Sequence, residues 1–119
     1  MPPTTRHLLR LNLPRWRDKR LEILAQRGNT CEGCGVVGGI VHVHHGYYEG
    51  DRLPWDYQDE SLHVYCPTCH GRAQALMTAM NEALGRLSLR EYEEAMRLIR
   101  PLALRVGEAR GGLLAVSSR

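Results

Sequence analysis

CEGCGVVGGIVHVHHGYYEGDRLPWDYQDESLHVYCPTCH, residues 31–70, contains all four cysteines of the chain and five of its six histidines. Two residues lie between Cys31 and Cys34 and between Cys66 and Cys69, with 31 residues between the pairs. A Cys-x-x-Cys turn bends the backbone so that both thiolates reach one ion, and two such turns complete the four-sulfur tetrahedron that zinc favours, at about 2.3 Å per bond. Gly33 and Gly35 ease the first turn. A redox dithiol needs one pair, not two. Four sulfurs leave zinc no open position, so the expected role of Cys31, Cys34, Cys66 and Cys69 is structural.

Outward from the cysteines, the pattern predicts an α+β chain. Residues 14–27 read as a helix, with Asn12 as cap, Pro14 in the first turn, apolar Trp16, Leu21, Ile23 and Leu24, and Gly28 as the stop. The β-branched alternation of residues 40–45 reads as a strand, residues 46–60 as a loop of functional length, and residues 62–65 as a second strand. Cys66 to His70 opens a helix in which Ala73, Leu76, Met77, Met80, Ala83, Leu84 and Leu87 recur at helical spacing, with Gly85 as a stop. Ser88 and Glu91 form a capping box for a last amphipathic helix carrying Tyr92, Ala95, Met96, Ile99, Leu102 and Val106, which Pro101 is expected to kink or break.

At 119 residues the chain has the length of one domain, which excludes an enzyme with a separate cofactor lobe. Its 6% aromatic content without any Phe predicts a small core that needs the metal staple. The net charge of +3 is unevenly placed. Residues 1–27 carry seven Lys/Arg against two acids, residues 28–71 one against six, and residues 72–119 eight against five. Basic flanks around an acidic centre suit arms that hold a polyanion such as nucleic acid, although such blocks also arise as solvated faces. The N-terminal stretch lacks the apolar run of a secretory signal, and no run is long enough to span a membrane, so a cytoplasmic protein is expected, with reduced thiols and no membrane partner.

Chemistry must then come from the histidines. If strand, loop, strand and helix fold back as a ββα unit, the zinc sets the helix start beside the first strand and brings His70 to His44, where a divalent ion can bridge them. His45 is the candidate base, though strand alternation sends His44 and His45 to opposite faces unless the chain bends at Gly46. His7, His42 and His63 are read as structural or solvated, and Trp55 with one of Tyr47, Tyr48 and Tyr57 as residues that order the loop.

Val43-His44-His45, Tyr47-Tyr48, Pro54-Trp55-Asp56-Tyr57, Glu60-Ser61-Leu62 and Cys66-x-x-Cys69-His70 together resemble a zinc-stapled HNH endonuclease, over residues 12–74. The resemblance implies a small ββα-metal (HNH, or His-Me finger) unit with a four-cysteine zinc site, preceded by one helix and followed by an amphipathic helical extension. It divides the chain into a basic arm (residues 1–11), a nuclease core with structural zinc (12–74) and a C-terminal helical extension (75–119). The implied activity is metal-dependent hydrolysis of DNA phosphodiester bonds, by nicking or cleaving double-stranded DNA. His44 and His70 would hold the catalytic ion (Mg²⁺, Mn²⁺, Ni²⁺ or Zn²⁺), and His45 would act as general base. Two positions depart from the family pattern. Ser61 stands where the family has its Asn, and Gln74, a weak metal ligand, stands where relatives often carry a further His. Arg52 and Arg72 are candidate phosphate contacts. The alternatives are a catalytically weakened zinc module that binds nucleic acid, an interaction or assembly protein working through the C-terminal helices, which also suit a homodimer, and a redox dithiol protein.

Overall fold

The computed structural model describes residues 2–117, with side chains through residue 106. The described residues form four helices and one two-stranded antiparallel sheet: α1 (Thr5–Arg10), α2 (Pro14–Gln26), β1 (His42–His45), β2 (Leu62–Tyr65), α3 (Pro67–Leu84) and α4 (Leu89–Ser117). The α+β class is as expected. The chain divides within α3 into two compact units, Met1–Arg72 and Ala73–Arg119. Among the described residues no helix is long and apolar enough to cross a membrane.

In the first unit, α2 starts with Pro14 at its first position, where a missing N–H is harmless. Leu13, not Asn12, is its N-cap, and it makes no side-chain capping bond. Past the helix, Gly28 and Asn29 take left-handed conformations (φ +63° and +51°), which turn the chain into the first cysteine loop. That loop is a miniature hairpin. Thr30 bridges Val37, Cys31 N–H donates to Val36 O at 2.9 Å, and Gly35 N–H donates to Cys31 O at 3.0 Å.

β1 and β2 pair His42 with Tyr65, Val43 with Val64, His44 with His63 and His45 with Leu62. Cross-strand partners share a face, so the hairpin has two chemically distinct sides. One carries Val43, His45, Leu62 and Val64 and meets Ile23 and Leu24 of α2 together with Tyr57; this is the core. The other carries His42, His44, His63 and Tyr65. Gly46 follows β1 because its N–H donates to Ser61 O at 2.7 Å and a Cβ there would lie 3.0 Å from that same oxygen.

The fold departs from the sequence pattern at three further points. The arm at residues 1–11 contains a helix, α1, whose His7 is buried. The first strand begins at His42, not residue 40, and Ile40 is exposed. Pro101 lies inside a continuous α4 and does not break it.

In the second unit, α3 ends at Leu84, just before Gly85. The capping box on α4 is present, with Ser88 N–H donating to Glu91 Oε1 at 2.9 Å and Glu91 N–H to Ser88 Oγ at 3.4 Å. No described side chain of α4 up to residue 106 is buried.

Because Leu62 is wholly inaccessible at the centre of so small a core, Leu62→Ala is expected to lower the unfolding free energy of the zinc-loaded chain by about 3 kcal/mol. Urea denaturation followed by circular dichroism measures it; a loss below about 1 kcal/mol would mean that the α2–hairpin contact does not carry the fold.

Candidate metal centres and the histidine face

The four Sγ atoms of Cys31, Cys34, Cys66 and Cys69 all lie within 4.8 Å of one another, and none is in a disulfide. Bonds of about 2.3 Å to a tetrahedral zinc imply sulfur separations of about 3.8 Å. The Cys34 and Cys66 sulfurs are 3.9 Å apart. The donor set therefore fits a zinc ion.

The backbone prepares these sulfurs for negative charge. Gly33, Cys34 and Cys66 direct their N–H groups at Cys31 Sγ at 3.3, 3.5 and 3.3 Å, and Cys69 N–H is aimed at Cys66 Sγ at 3.4 Å. Burial pushes the Cys31 thiol up, but those N–H groups outweigh it and bring it down to about 6. Burial and the neighbouring sulfurs push Cys69 the other way, to about 12, as expected where four thiols compete for few protons. A shared cation removes that conflict.

Glycine is required at position 33 for a geometric reason. A Cβ there would stand 2.7 Å from Cys69 Sγ and 2.8 Å from Cys69 Cβ. Glu32, beside it, ties the first cysteine loop to β2. Its N–H donates to Val64 O at 2.8 Å, and its carboxylate accepts from Val64 N–H at 2.6 Å, Arg27 at 2.9 Å and His63 Nδ1 at 3.2 Å. Burial works against the Glu32 carboxylate, yet His63, the Val64 amide and Arg27 hold it below its usual range. Arg27 also donates to Leu62 O and Asp59 O, and Lys19 pairs with Asp59 at 2.6 Å, so α2 grips the chain entering β2. The sequence does not reveal these pairings, because the partners are 5 to 40 positions apart.

With the second cysteine pair in place, the first turn of α3 presents His70 to the polar side of the hairpin. His44 Nδ1 and His70 Nε2 lie 3.0 Å apart, and the rings meet edge-on at 4.9 Å. Two nitrogens bound at about 2.1 Å in adjacent positions of an octahedral ion would be separated by about 3.0 Å. The same distance suits an N–H···N hydrogen bond between the rings, and the other nitrogen of His44, Nε2, is buried without a partner. Burial and the His70 ring hold His44 down at about 4, and burial with His42 lowers His70, so both imidazoles are neutral at pH 7, the form that binds metal. His42 and His63, read from sequence as structural or solvated, share this face. The His42 ring lies 5.9 Å from His70, and His63 stacks on Tyr65 at 6.0 Å. Their period-2 spacing to His44 and Tyr65 was the available signal. Among the described residues, however, the cysteines are the only group of three or more side chains placed to hold one ion.

His45 takes the opposite face. Its ring lies 4.9 Å from Trp16, 4.9 Å from Tyr57, 5.8 Å from Tyr48 and 4.8 Å from His7, and the residue is 4% exposed. Its Nε2 is 3.0 Å from Pro54 O. A carbonyl only accepts, so Nε2 carries the proton and Nδ1 keeps the lone pair. Burial, offset in part by that carbonyl, keeps the ring neutral. Of the two readings the sequence leaves for His7, structural or solvated, the fold takes the structural one: His7 is buried on α1, a helix only six residues long.

The other nominated residues lie away from the His44–His70 pair or are engaged locally. The Ser61 hydroxyl donates to Gln58 O at 2.8 Å. Arg52 pairs with Glu49 at 2.6 Å, reaches the Tyr47 hydroxyl at 3.2 Å and lies over the Tyr57 ring. Gln74 is exposed one helical turn beyond His70 and belongs to the second unit, and Arg72 is exposed. In the loop, Tyr57 is a core residue whose hydroxyl accepts from Glu49 N–H, and Arg15 lies over Trp55. Compared with protein-family models, with curated proteins and with solved structures, the chain matches none.

Two outcomes follow from this geometry. Gly33→Ala is expected to weaken zinc at least about tenfold in competition with a chromophoric chelator, whereas Gly35→Ala, which has open space around it but a φ of +81°, disturbs the turn without touching a sulfur. Equal zinc affinity for Gly33→Ala and the natural chain would contradict the sulfur packing described. His7, His44, His45 and His70 all titrate below the ordinary histidine value of 6.5 in the fold. Protonation therefore favours the unfolded chain. Their contribution is complete above about pH 6.5 and is lost as the pH falls toward the folded values. A urea midpoint that declines from pH 7 to pH 5 while zinc content stays constant is the expected result; a flat profile is the contrary one.

Proposed function

We propose that this protein is a zinc-stapled endonuclease of the HNH type, a ββα-metal unit that hydrolyses phosphodiester bonds of double-stranded DNA with a divalent ion (Mg²⁺, Mn²⁺, Ni²⁺ or Zn²⁺). The observation that carries the reading is the 3.0 Å approach of His44 Nδ1 and His70 Nε2 on a helix start tied to the hairpin by four cysteines. The order hairpin then helix, with one histidine from each, supports it.

When bound, the divalent ion supplies Lewis-acid stabilisation of charge on the phosphate and on the departing sugar oxygen. The chain's own residues do the rest. His44 and His70 offer neutral nitrogens and leave the remaining positions of an ion to water and phosphate, which predicts loose metal binding without DNA. His45 is held by Pro54 O as the Nε2–H tautomer, so Nδ1 is the atom that takes a proton from the attacking water. For that role the ring, which packs on the face of the hairpin opposite His44 and His70 beneath His7 and Tyr48, must turn toward the side that holds the ion. Ser61 maintains the turn into β2 through Gln58 and Gly46, the place where the family Asn would act. The basic residues of α2 and of the flanks hold the DNA backbone.

A second reading is favoured by the burial of His45 and by the local engagement of Arg52 and Ser61: a zinc module that binds nucleic acid without cutting it. One assay separates the two. Zinc-loaded protein with supercoiled plasmid and Mg²⁺ or Mn²⁺ is expected to produce nicked circles. His45→Ala should slow the reaction by about 10²- to 10⁴-fold, and His44→Ala or His70→Ala should abolish it, with zinc content and circular dichroism unchanged. No nicking under any divalent ion, with a gel shift still present, would replace the nuclease by the binding module.

A further inference from the structure

α4 runs for 29 residues without burying any of its described side chains. A helix of that kind gains little from propensity alone and needs a partner for its apolar stripe. The stripe is regular. Leu89, Tyr92, Met96, Ile99, Ala103 and Val106 follow the alternating three- and four-residue steps of a heptad seam, with Leu89, Met96 and Ala103 at a and Tyr92, Ile99 and Val106 at d. Leu89 is 74% exposed, Met96 45% and Ile99 39%. Pro101 falls at position f, on the far side from the seam.

We propose that α4 pairs with α4 of a second copy of this chain as an antiparallel coiled coil about a two-fold axis. The charges beside the seam select that occupant. Position e holds Glu93 and then Arg100, whereas position g holds Ser88, Ala95 and Leu102. In an antiparallel pair the e positions of the two helices face each other, so Glu93 meets the partner's Arg100 and Arg100 meets the partner's Glu93. The same register places Leu89 against the partner's Val106, Tyr92 against the partner's Ala103 and Met96 against the partner's Ile99. Each layer sets a larger residue against a smaller or equal one. A parallel pair would match e with g′ and find no opposite charge there, and it would stack Tyr92 on its own copy. The pattern is thus complementary to itself under a two-fold operation, as an isologous interface requires. The inference stands apart from the chemistry of the histidine face.

The test is the solution mass of the full zinc-loaded chain by sedimentation equilibrium. A dimer is expected, and Ile99→Arg is expected to yield a monomer with full zinc content. Glu93→Arg and Arg100→Glu should each raise the dimer dissociation constant by about tenfold at low salt, and the double variant Glu93→Arg with Arg100→Glu should restore it. A monomeric natural chain, whether α4 amides are protected from exchange by its own α3 or left open for a different protein, overturns the proposal. A dimer indifferent to both charge reversals, or one that the double variant fails to restore, overturns it as well.

Discussion

Everything in the first unit hangs on the convergence of four sulfurs. Cys31 and Cys34 sit on a loop that follows α2, and Cys66 and Cys69 sit at the junction of β2 and α3. Bringing the two pairs within 4.8 Å closes the long segment between them and fixes where β2 stops and α3 starts. A core built around Ile23, Leu24, Tyr57, Leu62 and Val64 is too small to do this alone. The surrounding backbone is committed to the cluster. Three N–H groups point at one sulfur, Gly33 has no room for a side chain, and the Glu32 clamp on β2 sets the distance between the two loops. An ion held by these four sulfurs would couple its binding to the folding of this unit.

The hairpin above that cluster separates its histidines onto two faces. Period-2 alternation sends His45 into the aromatic core with Trp16, Tyr57 and His7, and sends His44 to the side that receives His70 from α3. Burial acts on both histidines in the same direction and for different ends. It keeps His44 neutral, the form a metal would require, and with the Pro54 carbonyl it keeps His45 neutral in a single tautomer. The proposed nuclease needs both, with the His45 ring turned from the core face toward the side of His44 and His70. The burial of the His45 ring beneath α1 is the feature that favours the binding-only alternative.

Much of this was legible in the sequence, and unevenly so. The two Cys-x-x-Cys turns, the helix after Pro14, the strand before Cys66 and the Ser88–Glu91 box are local signals, and each appears where its spacing put it. The approach of His70 to His44 followed from the cysteine spacing plus one assumption of a hairpin. What escaped was non-local. His7 is buried by contacts with residues some forty positions on, and the Arg27–Glu32–His63 and Lys19–Asp59 pairs join elements that only the fold brings together. Of the two outcomes expected at Pro101, a kink or a break, the break does not occur: the lost hydrogen bond and ring clash cost about 3 kcal/mol, which a long helix absorbs.

The central claim is that the zinc staple assembles a second, looser divalent site at His44 and His70. Its most direct test is the broadening of histidine ring signals in NMR spectra of the zinc-loaded chain as Mn²⁺ is added below stoichiometry. The account predicts that the rings of His44 and His70 broaden first, and that the effect vanishes in His70→Ala while zinc is retained. Broadening confined to the acidic loop around Glu49, Asp51 and Asp56, with His44 and His70 untouched, would contradict it.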